Sequence, residues 1–104
     1  MIVVNRFRVP ESDGESFRAE AAAATGALGE QRGFLDAELG CNVDEPELWV
    51  LVTRWADVGS YRRALSAYEV KLAAVPLLSR AIDESSAYLP VGSTTEALNR
   101  NIPR

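Results

Sequence analysis

Histidine is missing from all 104 residues. That one absence excludes a histidine-based catalytic triad, a His-ligated zinc or haem, and general-base chemistry by imidazole. A single cysteine, Cys41, rules out an intrachain disulfide framework and fits a reducing, cytoplasmic setting. With no imidazole to activate it, Cys41 reads as a small hydrophobe rather than a nucleophile. No apolar run approaches the ~20 residues that a bilayer-spanning helix needs, so no membrane partner is expected. The first residues run directly into a strand pattern, without the basic start and long apolar stretch of a secretory leader. Basic residues are outnumbered as well: 11 Lys and Arg stand against 15 Asp and Glu, a net charge of −4. Nucleic-acid binders carry a basic domain or stripe, so the acidic balance argues against that partner too. There is no glycine-rich phosphate loop. Asp44, Glu45 and Glu47 are spaced too loosely for a calcium loop and read as a solvated hairpin tip.

What the chain does have is a globular balance, 47% hydrophobic and 25% charged, in a length that suits one domain. IVVNRFRV (2–9) is β-branched and alternating and stops at Pro10, which predicts a strand. Ser12 or Asp13 can cap a helix whose apolar positions, Phe17, Ala21, Ala24 and Leu28, recur at helical spacing, with Gly29 or Gly33 to end it. FLDAELGCN (34–42), the turn-rich NVDEPE and LWVLVTRW (48–55) predict a hairpin. Asp57 can cap a second helical stretch to about Leu65, resumed from Tyr68 to Ala73, and Pro76 opens a further turn. A last strand is expected near Ser85 to Leu89, before Pro90. The order β-α-β-β-α-β is the ferredoxin-like, α+β plan: a four-stranded antiparallel sheet with both helical layers on one face. The domain is expected over 1–90. In the tail, 91–104, Ser93-Thr94-Thr95-Glu96 fits a capping box for a short helix over Thr94–Asn99, docked on the domain or on a partner subunit.

Residue parity sorts the strands by face. Odd positions (Val3, Asn5, Phe7, Val9; Leu35, Ala37, Leu39, Cys41; Trp49, Leu51, Thr53, Trp55) are almost wholly apolar and should carry the helices. Even positions place an aliphatic centre among charges: Ile2, Val4, Arg6, Arg8; Asp36, Glu38; Leu48, Val50, Val52, Arg54. An aliphatic sheet centre in water favours a cover, and the helices are already used on the other face. A homodimer, packing sheet on sheet through Val4, Arg6, Val50, Val52 and Arg54, is the simplest cover. Arg6, Arg8 and Arg54 would then pair with Asp36 and Glu38 within or across subunits. A monomer with a solvated, half-polar face is the alternative.

Both tryptophans, Trp49 and Trp55, lie on the helix-facing side, so they are core or the wall of a cavity, and not a dimer seam. Trp55, at a strand end beside a helix start, is the better wall candidate. Tyr61 and Tyr68 can face it from the second helical stretch, or be core with a wet tip. Asn5 is the polar exception among the odd positions of the first strand. It either bonds a neighbouring backbone group or donates into a cavity between sheet and helices. Asn5 and Trp55 are the leading site candidates, with Phe7, Trp49, Tyr61 and Tyr68 as candidates to contact an aromatic ligand.

Together, NRFRVP, RGFLDAELG and LWVLVTRWADVGSYRRAL resemble the antibiotic biosynthesis monooxygenase family of dimeric α/β barrels, over about residues 2 to 89. The resemblance implies a ferredoxin-like protomer dimerised through its sheets. It also implies oxidation of a polycyclic phenol or quinol by O2 with no metal or flavin, the substrate supplying the electrons. Asn5 would hydrogen-bond a substrate oxygen, and Trp55 would stack on the rings. A related branch degrades haem with an Asn, a Trp and an axial His. Asn5 and Trp55 fall at the first two positions, but the third falls near Ala74, where no ligand is possible. One further class stays open at this point, a small-hydrophobic-ligand-binding dimer without turnover. An RNA-recognition module is set aside, because the helix-free face lacks the exposed aromatics and basic character it would need.

Overall fold

Alternation and β-branching build the sheet. A computed structural model describes residues 1–92, and the expected tail helix and its docking lie outside them. The strands are β1 (Ile2–Arg8), β2 (Phe34–Cys41), β3 (Leu48–Trp55) and a two-residue β4 (Ala87–Tyr88). Every pairing is antiparallel and the order is β2-β3-β1-β4, the ferredoxin-like arrangement. The central pair is fully zipped: Val3 faces Thr53, Asn5 faces Leu51 and Phe7 faces Trp49.

Helix α1 (Gly14–Gly29) buries Phe17, Ala21, Ala24 and Leu28, the four residues whose spacing predicts it. The Asp13 side chain makes no cap bond, because a short 3-10 turn over Glu11–Asp13 leads into the helix and leaves Asp13 outside the extended conformation of a working cap. The second helical layer is broken into α2 (Val58–Ala64), α3 (Tyr68–Ala73) and α4 (Val75–Leu78). Here the expected cap is made: Asp57 Oδ1 accepts from the Ser60 N–H at 2.7 Å. That bond, followed by one from the Ser60 hydroxyl, holds the Asp57 carboxyl below the usual carboxylate range.

One core joins the odd face of the central strands to these helices: Val3, Phe7, Leu51 and Trp55 meet Phe17, Ala24 and Val70. Strand β2 departs from simple parity. A register shift between Phe34 and Asp36 turns Phe34 onto Trp55 and leaves Leu35 63% exposed. Farther along this edge strand Leu39 is 37% exposed, and Cys41 is exposed with its thiol donating to the Pro46 carbonyl at 3.3 Å. These three therefore correct the expectation of a buried odd face on β2. The cause is position: an edge strand has a neighbour on one side only, and here the helices do not reach over it.

Gly33, between α1 and β2, has φ +88. A Cβ there would overlap Cβ and Oγ of Ser60, so the turn fits against the first turn of α2 only as glycine. Its carbonyl accepts the Ala56 N–H at 2.7 Å, which closes the same junction.

The helix-free face keeps Ile2, Val4, Val50 and Val52 half-buried at its centre. Its ion pairs only partly follow expectation. Arg54 does pair with Asp36 (2.8 Å) and Glu38 (3.8 Å). Arg6 instead forks onto both oxygens of Glu84, at 2.7 and 2.6 Å, and Arg8 reaches Glu45 at 3.5 Å. The reason is the strand order: β4 and the turn before it lie beside β1, nearer to Arg6 than β2 is. The Arg6 fork holds the Glu84 carboxyl below its ordinary range.

Candidate functional site

Asn5 sits mid-strand on β1, opposite Leu51, on the face that meets the helices. Its burial is only partial, because the broken helical layer leaves an open cleft of about 410 Å3 beside it. Tyr61 and Leu65 from the α2 region, Val75 and Leu78 from α4, and Ser79 complete the lining. The lining is thus mainly apolar with a few convergent polar groups, the pattern of a small-molecule site. Among the described residues none takes the Asn5 amide as a hydrogen-bond partner. Ser79, by contrast, spends its hydroxyl proton on the Pro76 carbonyl at 2.8 Å. Among the described residues Asn5 makes no side-chain bond to a neighbouring backbone group, and it lines the cleft.

Tyr61 is positioned by the capped start of α2 and by an aromatic row. Its ring centroid lies 5.6 Å from that of Trp55, which in turn meets Phe34 edge-on at 5.3 Å. Burial raises the Tyr61 phenol above its ordinary pKa of 10.0, so it stays a protonated donor through the neutral range.

Trp55 does not line the cleft. It is 0% exposed, stands behind Tyr61, and its indole N–H donates to the Thr53 hydroxyl at 2.9 Å. The strand end that made it look accessible is closed by α2 and Phe34. Its place at the site is to hold Tyr61. Phe7 and Trp49 pair with each other across β1 and β3 and pack on Phe17. They belong to the other end of the sheet. Phe7 borders a hollow of about 250 Å3 beside the start of α1, where Arg80 bridges to Glu20 at 3.0 Å. Trp49 borders one of about 300 Å3 with Arg6 and Val50, and carries the Arg18 guanidinium 5.7 Å above its ring. Tyr68 is 74% exposed and lines none of these hollows. The structure thus brings Asn5 and Tyr61 together, puts Trp55 behind them and leaves Phe7, Trp49 and Tyr68 apart.

Leu65, Val75, Leu78 and Ser79 were missed as site residues. Their only sequence signal is the interruption at Ser66–Ala67 and Pro76 that breaks the helical layer and opens the cleft.

Residues 1–74 match the sequence model of the antibiotic biosynthesis monooxygenases. The chain belongs to that family. Among curated proteins no relative matches. Among solved structures, the chain resembles SnoaB, described as a cofactor-independent oxygenase of Streptomyces nogalater, with a TM-score of 0.70 and 21% identity over 90% of this chain and 95% of that one. A conserved protein of Methanosarcina mazei Go1 superposes with a TM-score of 0.67 and 21% identity, covering 83% of this chain and 84% of that one. Rv0793 of Mycobacterium tuberculosis gives 0.69 and 14%, covering 90% and 97%. At these identities the likeness establishes a shared fold, and the family match supports a monooxygenase in general terms.

The haem-degrading branch does not fit the residues present. Ala74 is fully buried at the end of α3 and offers no donor, and Trp55 has no face toward the cleft. Among the described residues no three His, Cys, Asp or Glu side chains gather where they could hold a metal ion, and no helix is long and apolar enough to cross a membrane.

Proposed function

We propose that this protein is a homodimeric oxygenase that inserts oxygen from O2 into a polycyclic phenol or quinol, in the Asn5 cleft, without metal or flavin. The observation that carries the reading is the Asn5 amide, half-buried in a mainly apolar cleft and without a hydrogen-bond partner among the described residues. A donor held there is matched to an oxygen that gains negative charge. With no histidine as base, the substrate's own ionisation supplies the phenolate. The phenolate passes one electron to O2, and the resulting substrate radical and superoxide combine at the activated ring carbon. Loss of water from the hydroperoxide converts a ring CH2 into a carbonyl, so one oxygen atom enters the product and the other leaves in water. Asn5 stabilises the phenolate, and protonated Tyr61 is a second donor in the same wall. Leu65, Val75 and Leu78 supply the apolar surface that takes polycyclic rings.

The dimer in this reading packs the helix-free faces together through Val4, Arg6, Val50, Val52 and Arg54. Their half-buried aliphatic centre supports it.

The test is oxygen uptake with dithranol, a 1,8-dihydroxyanthrone, in an oxygen electrode, corrected for its spontaneous oxidation. The wild type should accelerate uptake, and Asn5→Ala should cut kcat by about 10²-fold, the scale of losing one donor to a developing oxyanion. An unchanged rate in Asn5→Ala would remove the residue from the chemistry. Binding without accelerated uptake would make the protein a small-hydrophobic-ligand binder instead.

A further inference from the structure

One side of the second helical layer is apolar and faces outward. Tyr68 and Leu72 on α3 are 74% and 62% exposed, and Val75 at the start of α4 is exposed as well. These positions stand at i, i+4 and i+7. Helical bonds from the Ala74 N–H to the Val70 carbonyl and from the Leu78 N–H to the Ala74 carbonyl carry the turn across the break, so the three share one face. The opposite face buries Val70, Ala74 and Leu77 in the core. Single exposed apolar side chains are ordinary, but three aligned on one helix face form the stripe of a helix that packs on both sides.

In the proposed sheet-to-sheet dimer the second copy does not reach this ridge, because α3 and α4 pack on the other side of the sheet. The chain's own last residues can. Ala87 lies opposite Val3 on the helix-facing side, and Leu89, two residues on, lines a hollow of about 310 Å3 with Val58 and Tyr61 of α2. Tyr61 in turn lines the Asn5 cleft, and so does Val75. The chain therefore leaves the sheet beside α2, within the span of two small hollows from the ridge. Residues 93–104 follow Gly92, and an extended segment of that length reaches at most about 40 Å. Their apolar residues are few and grouped: Ala97, Leu98 and Ile102. Leu98 and Ile102 stand at i, i+4 behind the Ser93-Thr94-Thr95-Glu96 capping-box sequence, a short stripe to match a short ridge. Arg100 and Arg104 against Glu96 also give the segment a charge opposite in sign to that of the whole chain.

We propose that residues 93–104 are the cover of this ridge, with Leu98 and Ile102 docked on Tyr68, Leu72 and Val75 of their own subunit. The strap then runs beside the mouth of the Asn5 cleft, because Val75 belongs to both the ridge and the cleft lining. The docking does not depend on what the cleft binds, so it stands or falls separately from the oxygenase reading.

The experiment reads the ridge by thiol accessibility in the full chain. Cys41, the sole cysteine and an exposed one, is replaced by serine, and Leu72→Cys then puts a single thiol on the ridge. Its alkylation by iodoacetamide should be about tenfold slower than in the same chain carrying Leu98→Ser and Ile102→Ser, the protection given by a docked-to-undocked ratio of about ten. Serine leaves the charge unchanged, so the difference reports contact. Val43→Cys, at a hairpin tip that is 95% exposed, is the control and should react at one rate with and without the tail substitutions. Melting curves confirm that every variant is folded. Equal rates for the Leu72→Cys thiol in the two chains would overturn the proposal and leave the ridge to another partner. Adding Val52→Lys, at the centre of the helix-free face, should leave the protection intact. Its loss there would give the strap to the partner subunit and overturn the assignment to its own.

Discussion

Replacing Gly33 by alanine is the sharpest test of how the site is held in place. Two separate costs arise. With φ at +88, an alanine takes a conformation that L residues avoid, at about 1–2 kcal/mol. Its Cβ would also overlap Cβ and Oγ of Ser60, and relieving such an overlap in packed structure costs roughly 1–3 kcal/mol. The expected loss is therefore about 2–5 kcal/mol, which lowers Tm by roughly 10 °C or more for a domain of this size. The two costs can be separated. Ser60→Gly removes the overlapping atoms and by itself costs about 0.5 kcal/mol of helix propensity. In the double variant only the conformational cost and this propensity remain, so the pair should be less destabilised than the sum of the singles by about 1–3 kcal/mol. Urea denaturation of all four proteins reads that coupling. Strict additivity would refute the claim that Gly33 and Ser60 touch, and with it the account of how the turn before β2 sets the start of α2. Ligand binding should fall in Gly33→Ala as well, since Tyr61 follows Ser60 directly.

Other outcomes follow from the same geometry. Tyr61 should ionise at higher pH than a free phenol: the component of an alkaline spectrophotometric titration that disappears in Tyr61→Phe should be one titrating above the ordinary 10.0. Because the folded pKa is the raised one, the stability that Tyr61 contributes is present below the unfolded value and is lost as pH rises through the folded value. Stability in the wild type should accordingly fall more steeply than in Tyr61→Phe above about pH 10. Trp55→Ala should cost about 3–5 kcal/mol in denaturant unfolding, as for a fully buried aromatic; a cost below 1 kcal/mol would contradict its 0% exposure. Val52→Lys, at the centre of the helix-free face, should convert the proposed dimer to a folded monomer in analytical ultracentrifugation. A wild type that sediments as a monomer would remove that cover.

The parts of the fold legible in the sequence were those with local causes. Phe17, Ala21, Ala24 and Leu28 follow helical spacing, and all four are buried. Asp57 caps the helix it precedes because one short side chain reaches one N–H. Asn5 was legible as an exception, a polar residue in an apolar register. The rest depends on what lies across the sheet. The extra residue at Leu35 leaves no mark in a string of alternating residues, and neither does the place of β2 at the sheet edge that exposes Leu39, so both were placed inside. Glu84 as the partner of Arg6 is 78 positions away in sequence and depends on β4 lying beside β1. Trp55 looked accessible because it ends a strand. Only the packing of Phe34 and Tyr61 around it shows otherwise.

The irregularity at the start of β2 has a consequence for the chain's behaviour in a crowded solution. Among the described strands β2 is an outer edge of eight residues, long enough to recruit a stray strand from another molecule. The extra residue at Leu35 interrupts the regular hydrogen-bonding row, and Asp36 and Glu38 put two negative charges on the stretch that continues it. An incoming strand would find neither an unbroken ladder nor a neutral surface. Straightening β2, by deleting Leu35 and neutralising those two acids, would leave the protomer with an open invitation to polymerise.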